Sequence, residues 1–192
     1  MNMKDINDNI IANRTKARYE KLSDDIKKKL DDFNNADVAE YQLQVIKRKR
    51  SYPEIGDLFK INPKNEIFLY GIVINNHINN INGDDLILIL IFKQGVNIER
   101  CIEEGIKCDD LLLYPEIVGK EYWTRGYFYN YSHYDKHIKF DNYGFYYVGK
   151  DKFVNEYGEE IGEPQILGTY GVNTDIGIAR KINRELIIAG IL

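Results

Sequence analysis

From Gly56 to Asn75 the chain reads GDLFKINPKNEIFLYGIVIN, the point where a charged, helix-patterned preamble gives way to a series of apolar strands. Leu58 to Ile61 reads as a strand, Asn62, Pro63, Lys64 and Asn65 as a turn, and Ile67 to Ile74 as a second strand, so the stretch predicts a hairpin opening a β-rich domain. In the second strand Ile67, Leu69 and Val73 point to one face and Phe68, Tyr70, Ile72 and Ile74 to the other. Both faces are apolar, which predicts cover on both sides. Gly71 interrupts the run and predicts a bulge or a sharp bend. Leu86 to Phe92, LILILIF, adds a second constraint: on an exposed edge it would template aggregation, so it belongs in the middle of a sheet.

Helical periodicity brackets this body. From Asn9 to Phe33 the residues Tyr19, Leu22, Ile26, Leu30 and Phe33 recur at steps of three and four, and Ser23 with Asp24 and Asp25 can start a fresh helix. After Asn35 a second helical pattern places Val38, Tyr41, Val45 and Ile46 on one side, with Lys47 to Arg50 in its last turn, until Pro53 ends it. Asn75 to Asp85 reads as an exposed, mobile turn region. Val96 to Ile106 predicts a short helix with Ile98, Cys101 and Ile102 inward, Glu99, Glu103 and Glu104 outward, and Gly105 as its stop. Leu111 to Val118 is a strand whose Pro115 places it near an edge or a bulge. Strands follow at Tyr143 to Val148 and Lys152 to Asn155. A last helix starts at Asn173, Thr174 and Asp175, carries Ile178, Ile182 and Leu186 at fourfold steps, and stops at Gly190. The fold class is α+β: a strongly bent antiparallel sheet or a partly open SH3-like barrel over residues 51–192, with a helical extension over residues 1–50 and a C-terminal helix packed on the sheet.

Charge and composition narrow the function. The start MNMKDINDNII is polar and the longest apolar runs are too short to span a bilayer, which predicts a cytoplasmic protein without a membrane partner. Cys101 and Cys108 match no zinc or disulfide framework and read as reduced thiols. The net charge of −4 argues against nucleic acid as a partner over the whole surface. Residues 1–50 hold 12 Lys and Arg against 9 Asp and Glu, and the remainder holds 14 against 21, so the β-rich body is the acidic part and favours a basic partner.

No phosphate loop, nucleophile elbow, zinc-protease helix or dinucleotide fingerprint is present, and no cofactor or catalytic residue is expected. His133, Asp135 and His137 lie in SHYDKH, a polar segment that reads as a solvated loop rather than a helix presenting metal ligands. Cys101 sits among Glu99, Glu103 and Glu104, which disfavour a thiolate and point to packing. The KRKR run at 47–50 has no aromatic residue interleaved with it and reads as a solvated helix end. Between Tyr114 and Tyr170 lie 11 of the 15 tyrosines. Read as a strand, YWTRGYFYNY puts Trp123, Arg125, Tyr127, Tyr129 and Tyr131 on one face, residue types enriched at binding hot spots. With Glu99, Glu103, Glu104, Asp109 and Asp110 they form the candidate contact surface, the acids meeting a basic partner.

The sequence Pro53-Glu54-Ile55-Gly56-Asp57-Leu58-Phe59-Lys60-Ile61, continued by Tyr70-Gly71-Ile72-Val73, resembles the opening of the immunity protein 26 family, antitoxins of bacterial polymorphic toxin systems. Leu113-Tyr114-Pro115 and Trp123-Thr124-Arg125-Gly126 are similar to that family's later apolar and tryptophan-bearing strands, and the similarity covers roughly residues 52–148. The resemblance implies a β-rich, cytosolic, non-enzymatic protein that blocks a cognate toxin domain by direct binding. A second reading of the residues is a nucleic-acid-binding or regulatory module on an SH3-like barrel, with the N-terminal helices and KRKR supplying charge and Trp123 with its neighbours stacking; a third is a metal-dependent enzyme resting on His133, Asp135 and His137.

Overall fold

The computed structural model describes residues 9–64 and 66–192, so Asn65 of the expected turn lies outside the described residues. A five-stranded antiparallel sheet is built from β1 (Asp57–Lys64), β2 (Ile67–Asn80), β3 (Gly83–Phe92), β4 (Leu111–Val118) and β5 (Phe128–His133), in the order β4-β3-β2-β1-β5. A smaller sheet is built from β6 (Tyr143–Tyr147), β7 (Lys152–Val154) and β8 (Ile166–Thr169), in the order β7-β6-β8, with β6 and β8 parallel. Neither sheet closes, and the class is α+β. Pro115 lies on β4, one of the two edge strands, where a residue without an N–H is tolerated.

The apolar run of β3 is buried on both faces, and its alternation splits the core. Ile87, Ile89 and Ile91 join a cluster with Phe59, Ile61, Leu69, Val73, Trp123 and Phe128, closed by Ile178, Ile182 and Leu186 of helix α6 (Asp175–Ile188). On the other face Leu90 and Phe92 pack with Leu58 and Ile72 under Ile102 of helix α4 (Ile98–Glu104), while Leu86 and Leu88 pack with Phe145, Val154 and Tyr170 of and beside the smaller sheet. Thr174 caps α6 through its hydroxyl, which accepts from the Gly177 N–H at 3.1 Å.

Three earlier helices pack on this frame: α1 (Ile10–Glu20), α2 (Asp24–Asn34) and α3 (Val38–Tyr41). Ser23 caps α2 as expected, and Leu30 is buried. Tyr41 and Leu43 enter the main core, and the Asn183 amide donates to the Tyr41 carbonyl at 3.1 Å. The helix α1 buries no residue and is fastened by ion pairs, Arg18 to both Glu185 oxygens at 2.7 and 2.6 Å and Arg14 to Glu163 at 3.3 Å.

Four local expectations are corrected. The second N-terminal helix stops at Tyr41, and residues 42–50 are extended. Their backbone N–H groups bond across space instead of along a helix: Gln44 to Asn62, Ile46 to Gly126 and Lys49 to Trp123. The Asn75 to Asp85 region is mostly strand, because its asparagines cross-link the fold. Asn75 donates to Glu156 at 2.9 Å, Asn76 to the Pro53 carbonyl at 3.0 Å and Asn80 to the Glu156 carbonyl at 2.7 Å, while Ile78 is wholly buried. Gly71 sits in regular register between Phe59 and Ile91; it is glycine because the Phe59 ring lies against it, not because the strand bulges there. Finally, Tyr122 to Arg125 are not strand: helix α5 (Glu121–Arg125) ends on Gly126 in the left-handed conformation, and β5 begins only at Phe128.

Candidate functional site

The lower half of the sheet's second face is where cover runs out. The helix α4 and the smaller sheet reach Leu58, Ile72 and Leu90, but the next residues toward the β1–β2 turn and β5 belong to no core cluster: Lys60, Phe68, Tyr70, Tyr129 and Tyr131. Period-two alternation aims them there, since Phe59, Ile61, Leu69 and Phe128 between them point into the main core. A register shift between β1 and β5 at Leu58/Phe59 leaves Tyr131 as the extra residue of a bulge, and Tyr131 is 45% exposed.

The rings on this face carry cations. Lys60 Nζ stands 3.4 Å from the centre of the Phe68 ring, and Lys47 Nζ stands 5.7 Å from the centre of the Tyr129 ring. Each contact contributes about 0.5–1 kcal/mol at an exposed site. Tyr70 and Tyr131 meet edge to face, centroids 5.4 Å apart at 72°. Burial, the Tyr70 phenol and the charge of Glu99 together push the Tyr131 hydroxyl above its ordinary pKa, so it stays a hydrogen-bond donor. A groove of about 350 Å³ separates Phe68 and Tyr70 from the loop of Lys93 to Ile98 that leads into α4.

Of the residues expected from sequence, the structure gathers Tyr129, Tyr131 and Glu99 at this face. Glu103 and Glu104 are exposed on α4 but already hold cations: Glu104 pairs with Arg100 at 2.9 Å and Glu103 with Lys136 at 3.9 Å. The Asp110 carboxylate accepts from the Lys107 N–H at 2.8 Å, and the Asp109 carbonyl accepts from Lys93 Nζ at 2.7 Å. Arg125 lies elsewhere, on Asp175 at 2.5 Å, and Tyr127 packs partly against the main core. Trp123 is a correction: it is wholly buried between Phe59 and Phe128, so it is a core residue and not a contact residue. Lys60, Phe68 and Tyr70 are site residues the sequence did not point to, and Lys47 entered only the nucleic-acid reading; Phe68 and Tyr70 are half-buried rather than covered. The signal available was Lys60, a cation inside the apolar run Leu58 to Ile61.

A second groove, of about 360 Å³, is lined by His133, Asp135, Lys136 and His137. His133 Nδ1 lies 3.0 Å from Asp57, which also accepts from Asn130 and from the Glu54 N–H, and Asn130 in turn accepts from the Trp123 indole N–H at 2.6 Å. This chain of bonds ties β5 to β1. Among the described residues no three His, Cys, Asp or Glu side chains are grouped as metal ligands would be. Burial, then Asp110 and Glu104, push the Cys101 thiol up, in keeping with a packing role. Among the described residues no helix is long and apolar enough to cross a membrane.

Comparison of the chain with protein-family models, with curated proteins and with solved structures finds no match.

Proposed function

We propose that the protein works by binding, and that its partner is a bacterial toxin domain, which it neutralises by direct contact. The observation that carries the reading is the uncovered row of Phe68, Tyr70, Tyr129 and Tyr131 on a hydrogen-bonded sheet. Aromatic side chains held half-exposed on rigid strands supply contact area at little cost in conformational entropy, which is how binding hot spots are built. The segments that resemble immunity protein 26 include Pro53 to Ile61 and Tyr70 to Val73, which run into the same two strands, β1 and β2. One observation favours a nucleic-acid-binding module as the second reading: folding brings Lys47, in the KRKR run, to the Tyr129 ring.

The test is affinity capture of the tagged full chain from the cells that make it, with protein and nucleic acid both identified. A near-stoichiometric protein partner that is toxic when expressed alone and harmless when co-expressed with this chain is the expected result. Capture of nucleic acid alone, lost at high salt, would overturn the toxin reading in favour of the second one.

A further inference from the structure

The charge on the ring face runs opposite to that of the chain. The protein is acidic, at −4, yet the two cations on the rings, Lys47 and Lys60, and the neighbouring Arg48, Lys49 and Arg50 have no carboxylate within ion-pair distance among the described residues. They are neighbours by construction: the extended segment carrying Lys47 to Arg50 bonds to Asn62 of β1 and to Trp123 and Gly126, which lead into β5. Across the groove the acids of α4 are largely compensated by Arg100 and Lys136. Glu99, beside Tyr131, is the one α4 acid in no ion pair among the described residues, so a basic partner has a single carboxylate to meet there, whereas an acidic one has the two ring-bound cations Lys47 and Lys60.

Resting on the toxin-binding reading, we infer that the partner meets this face with an acidic protein surface, setting carboxylates on Lys47 and Lys60 and apolar side chains on Tyr129 and Tyr131. The ring geometry selects protein over a nucleic-acid strand. Bases need open, roughly parallel ring faces on which to stack. Here the Phe68 face is taken by Lys60, the Tyr129 face by Lys47, and Tyr70 and Tyr131 stand at 72° to each other. Ammonium groups on the rings and the phenol hydroxyls beside them are the set that receives carboxylates.

The charge preference is testable without a toxin, by amide-resolved nuclear magnetic resonance titration of the full chain with oligoglutamate, oligolysine and oligothymidylate. Oligoglutamate is expected to shift the amides of Lys47 to Arg50, Lys60, Tyr129 and Tyr131, and salt to reverse those shifts. The double substitution Lys47→Glu with Lys60→Glu, at exposed or half-exposed positions where folding is not at stake, is expected to weaken the titration about tenfold. Oligolysine shifting these amides while oligoglutamate does not would overturn the inference. So would oligothymidylate binding more tightly than oligoglutamate with ring-current shifts at Tyr129 and Tyr131. If oligoglutamate behaves as expected but the capture experiment yields no toxin, the toxin reading fails and the anion-receiving face stands.

Discussion

Replacing Gly71 by alanine tests the central packing of the sheet. A Cβ at this position would collide with the Cζ of Phe59 and stand 2.5 Å from the Leu90 carbonyl oxygen, against an ordinary carbon–oxygen separation about 1 Å longer. Overpacking a filled core costs about 1–3 kcal/mol. The upper end applies, because one of the two obstacles is backbone in β3, the second strand of the sheet, and cannot rotate away. For a chain of this length about 3 kcal/mol lowers Tm by roughly 6–12 °C. The single tryptophan, Trp123, lies 5.5 Å from the Phe59 ring, so its fluorescence in a urea titration reports on the site itself. Phe59→Leu removes the side-chain half of the clash, so the Gly71→Ala/Phe59→Leu pair is expected to be more stable than the two costs added, by about 1 kcal/mol. A Gly71→Ala loss under about 0.5 kcal/mol, or strict additivity in the pair, would refute the argument that Phe59 and Leu90 exclude a Cβ there.

Asn130→Leu removes the acceptor of a buried indole N–H and a donor to Asp57, and is expected to cost about 2 kcal/mol or more in urea unfolding. Arg18→Met releases the strongest tie on α1; amide exchange over residues 10–20 should speed up while global stability changes by no more than about 1 kcal/mol. Burial raises the Glu116 carboxyl above its ordinary value despite Lys181 at 2.8 Å, so its folded pKa exceeds the unfolded one. Its contribution is then fully present below the unfolded pKa and lost as pH rises through the folded one. Glu116→Gln should therefore gain stability relative to the native chain as pH climbs from about 4.5 toward neutrality, measured by paired urea midpoints; a pH-independent difference would contradict this. Cys101, its thiol pushed up by burial and by Asp110, is expected to alkylate more slowly near pH 8 than free glutathione, read by peptide mass mapping.

Elements whose partners are implied by their own pattern were legible from sequence. Seven apolar residues in β3 need two cores, and the structure supplies them, odd positions on one face and even positions on the other. The helix α6 was equally legible, since Thr174 caps it and Ile178, Ile182 and Leu186 repeat on one side. Where reading failed, distant partners outvoted local propensity. Residues 42–50 carry a helical repeat, yet Leu43 is buried in the main core and the backbone bonds to Asn62, Trp123 and Gly126 hold the segment extended. Asparagines at 75, 76 and 80 look like turn residues until Glu156 and the Pro53 carbonyl are brought within bonding distance. In YWTRGYFYNY the aromatic density masked a helix stop at Gly126, the residue whose left-handed backbone separates α5 from β5.

The binding face was illegible for a related reason. The basic run shows no aromatic beside it in sequence, but Tyr129, 82 residues after Lys47, becomes its neighbour because extended residues 46–49 bond to Gly126 and Trp123 at the approach to β5. Hydrophobic pattern alone also cannot separate Phe68 and Tyr70 from Ile72: all three share one face of β2. What distinguishes them is the reach of α4 and the smaller sheet, which cover Ile72 and stop short of the two rings. A half-exposed aromatic that no cluster claims contributes less to folding than a covered one, since the hydrophobic gain scales with area removed from water. The four uncovered rings are therefore the part of this sheet whose identity the fold constrains least, and the part where demands other than folding are free to act.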